Sequence, residues 1–436
     1  MALTLKEKID NSSAKVGVIG LGYVGLPLAV ELAKAGYDVT GYEVNARRCE
    51  EINQGHSYIA DIHSDELTQV VNGSSKGKLH ATTDFSLLAE MDTVSICVPT
   101  PLGKTRDPDV SYILEVKDQI SKYIHTGMLI ILESTTYPGT TDEIFVPIVE
   151  NAGLKLGKDV FLVFSPERID PGNKTYTLKN TPKVVGGMTF ACGEMAKRLY
   201  SKIVDEVVLV SSARAAEMTK ILENTFRAVN IGLVNEIAIM CKILDINTWE
   251  VIDAAATKPF GFTPFYPGPG LGGHCIPVDP HYLSWKLKQL NYQARFIDLA
   301  AEINTNMPNH VVNVATDILN KSQKSVNGSK ILLLGMAYKP NVSDVRESPS
   351  LDIYKLFAKK GANITFHDPY VPTITIDNQT YHSKPLNGDS LKMQDLVIIT
   401  THHKDYNLTQ IVECSKVIFD TRNATKGISS PKILRL

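Results

Sequence analysis

Gly272-Gly273-His274-Cys275-Ile276-Pro277-Val278-Asp279 sets a cysteine in a glycine-rich loop, with an aspartate four residues beyond it. A thiol held this way can add to an aldehyde as a thiohemiacetal. Loss of a second hydride gives a thioester, and water then releases a carboxylic acid. A nucleophile beside a hydride acceptor thus turns a two-electron oxidation into a four-electron one. Most free cysteines are small buried hydrophobes. Reading Cys275 as a nucleophile therefore depends on whether the chain supplies a redox cofactor.

The start of the chain supplies that signal. Residues 15–19 read as a short buried strand leading into Gly20-Leu21-Gly22-Tyr23-Val24-Gly25. Residues 26–35 read as a helix stopped by Gly36, and residues 39–43 as the next strand. Gly20 suits a tight turn, Gly22 a close approach to a pyrophosphate and Gly25 close helix packing, while the helix N-terminus faces the phosphates. Glu43 ends the second strand, where an acid accepts hydrogen bonds from ribose hydroxyls and repels a 2′-phosphate. This favours NAD over NADP, with Arg47 and Arg48 close enough to weaken the preference.

Further strands are expected at 93–98, 128–132 and 160–164. In a doubly wound sheet, ligands bind beyond the carboxyl ends of the strands. Pro99-Thr100-Pro101 and Glu133-Ser134-Thr135-Thr136 are site loops by that rule. Residues 213–246 form a long helical pattern whose second half is apolar nearly all round, so it must be buried between domains or against another subunit. Its first half carries Glu217, Lys220, Asn224 and Arg227 on one face. Helical pattern resumes over 282–319. The last third, from Lys330, repeats the α/β logic of the first, but Gly335-Met336-Ala337-Tyr338-Lys339-Pro340 lacks the glycines for a second dinucleotide. Lys339, Arg346 and Arg422 fall in or near strand-end loops there and suit another phosphate-bearing ligand. His402-His403 reads as loop surface.

The expected fold is α/β, with two Rossmann-like doubly wound sheets joined by a long central helix. The expected domains are 1–212, an NAD-binding domain, 213–322, a helical domain with the cysteine loop, and 323–436, a second α/β domain. The 436 residues exceed one core. A net charge of -2 gives no reason to expect nucleic acid or an anionic membrane. Six scattered cysteines without a C-x-x-C pair indicate neither a metal site nor a disulfide framework. With no apolar leader and no run of about 18 apolar residues, the expected location is the cytoplasm.

Five ordered motifs carry a resemblance over nearly the whole chain: 18–25, Ser165-Pro166-Glu167-Arg168, 272–279, Tyr338-Lys339-Pro340 with Arg346-Glu347-Ser348, and Phe419-Asp420-Thr421-Arg422-Asn423. Together they resemble the UDP-glucose/UDP-hexosamine 6-dehydrogenase family. The stretch 265–277 looks most like the UDP-N-acetylglucosamine branch that serves bacterial surface polysaccharides. The resemblance implies NAD as cofactor, a UDP-sugar as substrate and a homodimer formed through the central helix. It further implies that Cys275 is the nucleophile, Asp279 the carboxylate that helps water handle protons, and Lys220 with Asn224 a pair facing the site. Glu167 becomes an acid beside the reacting carbon, and Thr135 or Thr136 a hydroxyl positioning a water. Gly20, Gly22, Tyr23, Val24, Gly25, Glu43, Arg48, Pro99, Thr100, Thr136 and Arg346 fall to the cofactor. Arg168, Phe265, Tyr266, Gly272, Gly273, Lys339 and Arg422 fall to the sugar nucleotide. Two positions depart from the UDP-glucose pattern: Pro171 replaces a second glutamate, and Lys258-Pro259-Phe260-Gly261 replaces an arginine-bearing segment. Both leave room for an acetamido group. The competing readings are a single-hydride hydroxy-acid dehydrogenase, which gives Cys275 no task, and a non-catalytic binding module, which has no use for Cys275, Lys220 and Asp279 together.

Overall fold

The structure is a computed structural model and describes every residue except 1–2, 60–61, 104–106, 171–172, 174 and 274. Pro171 and His274 therefore lie outside the described residues. The chain forms two compact units. The first is Met1–Glu223 with His281–Asn291, and the second is Asn224–Pro280 with Tyr292–Leu436.

The first unit is built on β1 (Lys15–Ile19), β2 (Asp38–Tyr42), β3 (Lys78–Thr82), β4 (Thr93–Ile96), β5 (Met128–Leu132), β6 (Val160–Phe164), β7 (Lys183–Gly187) and β8 (Val207–Val210). Their order is β3-β2-β1-β4-β5-β6-β7-β8. Every residue of β5 and β6 is buried, because helices cover both faces and such strands must be apolar throughout. All pairings are parallel except β6 with β7, where Phe164 faces Gly186. That reversal brings the first residue of β7, Lys183, to the carboxyl end of β6.

The second unit carries β9 (Lys330–Leu334), β10 (Asn363–His367), β11 (Thr373–Ile376), β12 (Gln379–His382), β13 (Leu396–Ile399), β14 (Ile418–Asp420) and β15 (Ile433–Arg435). A parallel sheet runs β10-β9-β13-β14-β15, and β11 with β12 forms a separate antiparallel hairpin. Asp377 and Asn378 at its tip both have positive φ, as a two-residue turn of matching twist needs. Ile374 and Ile376 anchor the hairpin in the core of this unit.

The expected α/β class with two such sheets and a long helix is the observed one. The central helix is Ala213–Ile243, three residues shorter than its pattern, since Asp245 takes a positive φ. The pattern over 282–319 splits into Asp279–Lys288 and Arg295–Lys321, with Asn291 in the left-handed region between them. The central helix is not buried all round. Leu222, Phe226, Leu233, Met240 and Ile243 stay exposed, the last at 79%.

Candidate active site

The glycine turn of the first unit has the shape its sequence implies. Gly20 sits at φ +87°, and a Cβ there would lie 2.6 Å from the Cys97 carbonyl oxygen. Gly25 is packed against Gly20, whereas a Cβ at Gly22 would meet nothing within 4 Å. The helix Gly25–Lys34 begins at Val24 with no side-chain cap; Gly22 takes the Leu26 N–H and Pro27 has none, so the helix start offers an anion the Gly25 N–H and the positive end of its dipole. Glu43 is buried at the end of β2, takes a hydrogen bond from the Asn45 N–H at 3.1 Å and has Arg48 at 3.7 Å. Arg48 also lies over the Tyr58 ring, while Arg47 turns to Glu51. These groups fit a dinucleotide: open backbone for the phosphates and a carboxylate for the ribose. The loop after β4 is fixed by Ser134, whose hydroxyl accepts from the Val98 N–H, and by Tyr282, whose hydroxyl donates to the Thr100 carbonyl at 2.9 Å. That sets the backbone of Pro99 and Thr100.

Beyond β5 and β6 lies a buried ionic cluster. Lys183 Nζ is 2.7 Å from Glu133 Oε2 and 3.1 Å from Glu167 Oε2. The Tyr200 hydroxyl donates to Glu133 Oε1 at 2.6 Å. Glu167 Oε1 accepts the N–H groups of Arg168 and Ile169. Burial alone would raise the Glu167 pKa, but Lys183 and these N–H donors outweigh it and hold the group below its ordinary value. Lys220 Nζ donates to the main-chain oxygen of Glu167 at 2.6 Å. One turn earlier on the same helix, buried Glu217 accepts from the Gly139 and Thr141 N–H groups. The four-residue polar stripe therefore does not act as one face. Glu217 caps a loop, Lys220 meets the 167 loop, and Arg227 is exposed.

The two threonines after β5 separate cleanly. The Thr136 hydroxyl is buried and bonded to that of Thr140, while Thr135 is half-buried. Arg168 has its guanidinium on Glu223 at 2.6 Å and on the Pro182 carbonyl at 2.8 Å. These partners hold its side chain against the loop after β6.

In the second unit Cys275 opens a turn, its carbonyl accepting the Val278 and Asp279 N–H groups. Asp279 starts the next helix and accepts from Asn224 Nδ2 at 2.5 Å. Cys275 is half-buried, whereas Cys49, Cys97, Cys192 and Cys241 are buried. The preceding loop is pinned by a relay. The Gly268 N–H donates to Asn235 Oδ1, Asn235 donates to Asn304, and Asn304 donates to the Ala228 carbonyl. Phe265 meets Phe226 edge-on, and Tyr266 stacks on Trp249 and donates to Asp253 at 2.9 Å. Gly272 and Gly273 are crowded by Tyr338, so packing within this unit already requires them to be glycine. The Gly273 N–H also donates to the Arg346 carbonyl, and the Arg346 guanidinium pairs with Asp344.

Arg422 follows β14 and donates to the Thr400 carbonyl at 2.9 Å. Enclosure pulls its pKa down to about 10, and it has no ion-pair partner among the described residues. The neighbouring Asp420 carboxylate is already filled by the Ala424 and Thr425 N–H groups. A half-buried cation left so is prepared for an anion. Lys339 is half-buried in the loop after β9. That loop is held from beneath. Asp368 accepts from the Met336 and Ala337 N–H groups, and His403 bridges Asp368 and the Asn341 N–H. His403 is fully buried, which corrects its reading as surface. A histidine pair in a polar segment gives no sign in sequence that one ring turns inward.

Residues 14–204 match the NAD-binding domain of the UDP-glucose/GDP-mannose dehydrogenase family, residues 214–306 its central domain and residues 332–427 its UDP-binding domain. The chain belongs to this family. It is 33% identical to a UDP-N-acetyl-D-glucosamine 6-dehydrogenase of Pseudomonas aeruginosa, over 94% of this chain and 96% of that one. It is 37% identical to a UDP-N-acetyl-D-mannosamine dehydrogenase of Campylobacter jejuni, over 91% and 97%. A solved UDP-D-ManNAc dehydrogenase from Pyrococcus horikoshii superposes with TM-score 0.87 at 31% identity, covering 97% of this chain and 98% of that one. This member of the UDP-glucose/GDP-mannose dehydrogenase family is thus an NAD-binding oxidoreductase of UDP-sugars. Among the described residues no group of histidine, cysteine and carboxylate side chains could hold a metal ion. Among the same residues no helix is long and apolar enough to cross a membrane.

Sequence reasoning missed Lys183, Tyr200, Asn235, Asn304 and Asp368. A lysine opening an otherwise apolar run, Lys183-Val184-Val185, was the one available signal, because a strand buried on both faces needs a partner for such a charge.

Proposed function

We propose that the protein oxidises C6 of a UDP-N-acetylhexosamine to the uronic acid, in a cytoplasmic pathway to surface polysaccharide. UDP-N-acetylglucosamine is the first substrate in this reading. The mannosamine epimer is the second, favoured by the 37% identity to a dehydrogenase named for it. The observation that carries a UDP-sugar is Arg422, half-buried with no carboxylate partner among the described residues, in the region that matches the UDP-binding domain.

The glycine turn at 20–25 and Glu43 would hold NAD, which would supply the hydride acceptor for each oxidation step. Lys220 offers its ammonium to the oxygen that gains charge at C6. The Cys275 thiol, deprotonated, adds to the aldehyde and forms a C–S bond. After the second hydride leaves, water attacks the thioester and the sulfur departs as thiolate. Two NAD are reduced, one water is consumed and three protons are released per carboxylate. Asn224 orients Asp279, which handles the proton of that water. Half-buried Thr135 positions a water, and Glu167 acts beside the reacting carbon as an ionised group. Arg422 and Lys339 hold the diphosphate, and the Phe265-Tyr266 backbone holds the sugar. Phe260, 71% exposed, and the open apolar stripe of the central helix are offered to a second copy in a homodimer. The three-part division at 212 and 322 belongs to this reading.

The test is NADH formation by the purified protein against a panel of UDP-sugars. A mismatched buried amide costs orders of magnitude in rate, whereas one methyl supplies only about 1–3 kcal/mol. UDP-N-acetylglucosamine should lead, its epimers should follow, and UDP-glucose should trail far behind. A lead for UDP-glucose would overturn the acetamido reading.

A further inference from the structure

The cluster behind Glu167 has an asymmetry that the reaction itself does not explain. Lys183 is 3% exposed and sits between two carboxylates, Glu133 at 2.7 Å and Glu167 at 3.1 Å. It reaches them only because β7 runs against β6. Both Glu167 oxygens are spoken for: Oε1 by the Arg168 and Ile169 N–H groups, Oε2 by Lys183. The side chain is thereby locked onto its own following backbone, which fixes the peptide whose carbonyl receives Lys220 at 2.6 Å.

We propose that Lys183 is a positioning residue for the oxidation: through Glu167 it aims the Lys220 ammonium and keeps the carboxylate beside it ionised. Lys183 touches neither substrate nor cofactor in this role. Glu133 and Tyr200 hold Lys183 from behind, the hydroxyl donating to Glu133 and the ring lying 5.1 Å from the ammonium. Among the described residues the other charged or titratable groups beside the cluster are Lys220, at the Glu167 main chain, Arg168, whose N–H meets the Glu167 carboxylate while its guanidinium turns to Glu223, and Cys97, whose thiol is pushed up by burial and by Glu133. An ammonium between two buried carboxylates makes them compete for it. Removing one carboxylate strengthens its hold on the other, and removing the ammonium lets burial raise both.

The inference rests on the UDP-sugar oxidation proposed above, and the wild-type panel tests that reading by itself. Given turnover, Lys183→Met should lower kcat tenfold or more with KM for NAD and sugar nearly unchanged. Its acid limb should move up by about one pH unit or more, since an adjacent opposite charge shifts a carboxylate by about 1–3 units. Glu133→Gln should move the same limb down, and Lys183→Arg should restore most of kcat. A purely architectural lysine would slow both variants without opposite limb shifts, and that result would overturn the proposal. Should Lys183→Met fail to fold, Glu133→Gln alone decides by the direction of its limb. A substrate-free readout covers failure of the sugar panel. The Tm deficit of Lys183→Met should shrink as pH falls toward about 4, where protonated carboxylates no longer need the cation. A deficit constant across pH would overturn the pairing on which the proposal stands.

Discussion

Asn224 and Asp279 are joined side chain to side chain, Nδ2 to Oδ2 at 2.5 Å, across a separation of 55 residues. Asp279 in turn donates its N–H to the Cys275 carbonyl at 2.8 Å. The asparagine therefore sets the carboxylate directly and the cysteine turn at one remove. Asn224→Ala should cost about ten- to a hundredfold in kcat, the scale expected when a reacting group shifts by about 1 Å. NAD affinity, measured by fluorescence titration, should stay as it is. Unchanged kcat would remove Asn224 from the site.

Cys275→Ser should bind NAD and UDP-sugar yet fail to complete turnover, because a hydroxyl is far less ionised than a thiol. In the parent protein, NADH counted against product should reach two per carboxylate. One NADH with free aldehyde at completion would rule out the covalent route.

Glu43 lies at the end of β2 with Arg48 3.7 Å away. With the acid in place, NAD should be preferred over NADP by more than tenfold in kcat/KM, about 1.4 kcal/mol. Glu43→Gln should narrow that ratio, since Arg48 would then face a 2′-phosphate unopposed. Comparison of the two cofactors in parent and variant is the measurement.

Asp368 gives the second unit an acid limit. Burial alone would raise its pKa, but His403 and the Ala337 and Tyr370 N–H groups hold it below the ordinary 3.8. A depressed folded-state pKa contributes stability that is present above the unfolded value and lost as pH falls through the folded one. Unfolding followed by hydrogen exchange in this unit should therefore accelerate below about pH 4. Asp368→Asn should remove that dependence and cost about 1–3 kcal/mol at neutral pH by leaving buried donors poorly paired. Equal acid sensitivity in the variant would place the limit elsewhere.

Much of the fold could be read from runs of apolar residues. The bounds of β5 and β6 match the expected ones because Met128–Leu132 and Val160–Phe164 are apolar throughout. The strand Lys183–Gly187 carries no such run, since a charge at one end and paired glycines at the other resemble a loop. Its reversed direction is a property of the sheet and leaves no mark in the sequence. At the site, the glycine turn and Glu43 lie within one βαβ unit, and local order betrays them. The partners of Lys183 stand 50 and 16 residues away, and only folding chooses them. Arg168 shows the converse: it sits in a recognisable motif, yet Glu223 on the central helix claims its side chain.

The β11–β12 hairpin stands apart from the sheet that carries Arg422, and its exposed tip, Asp377-Asn378, makes no part of any site described above. Its two isoleucines root it firmly enough that the turn can change without loosening the core. An epitope or a surface-attachment tag spliced there would leave both termini and the residues of the central helix unaltered, giving a handle for immobilising the protein on a solid support.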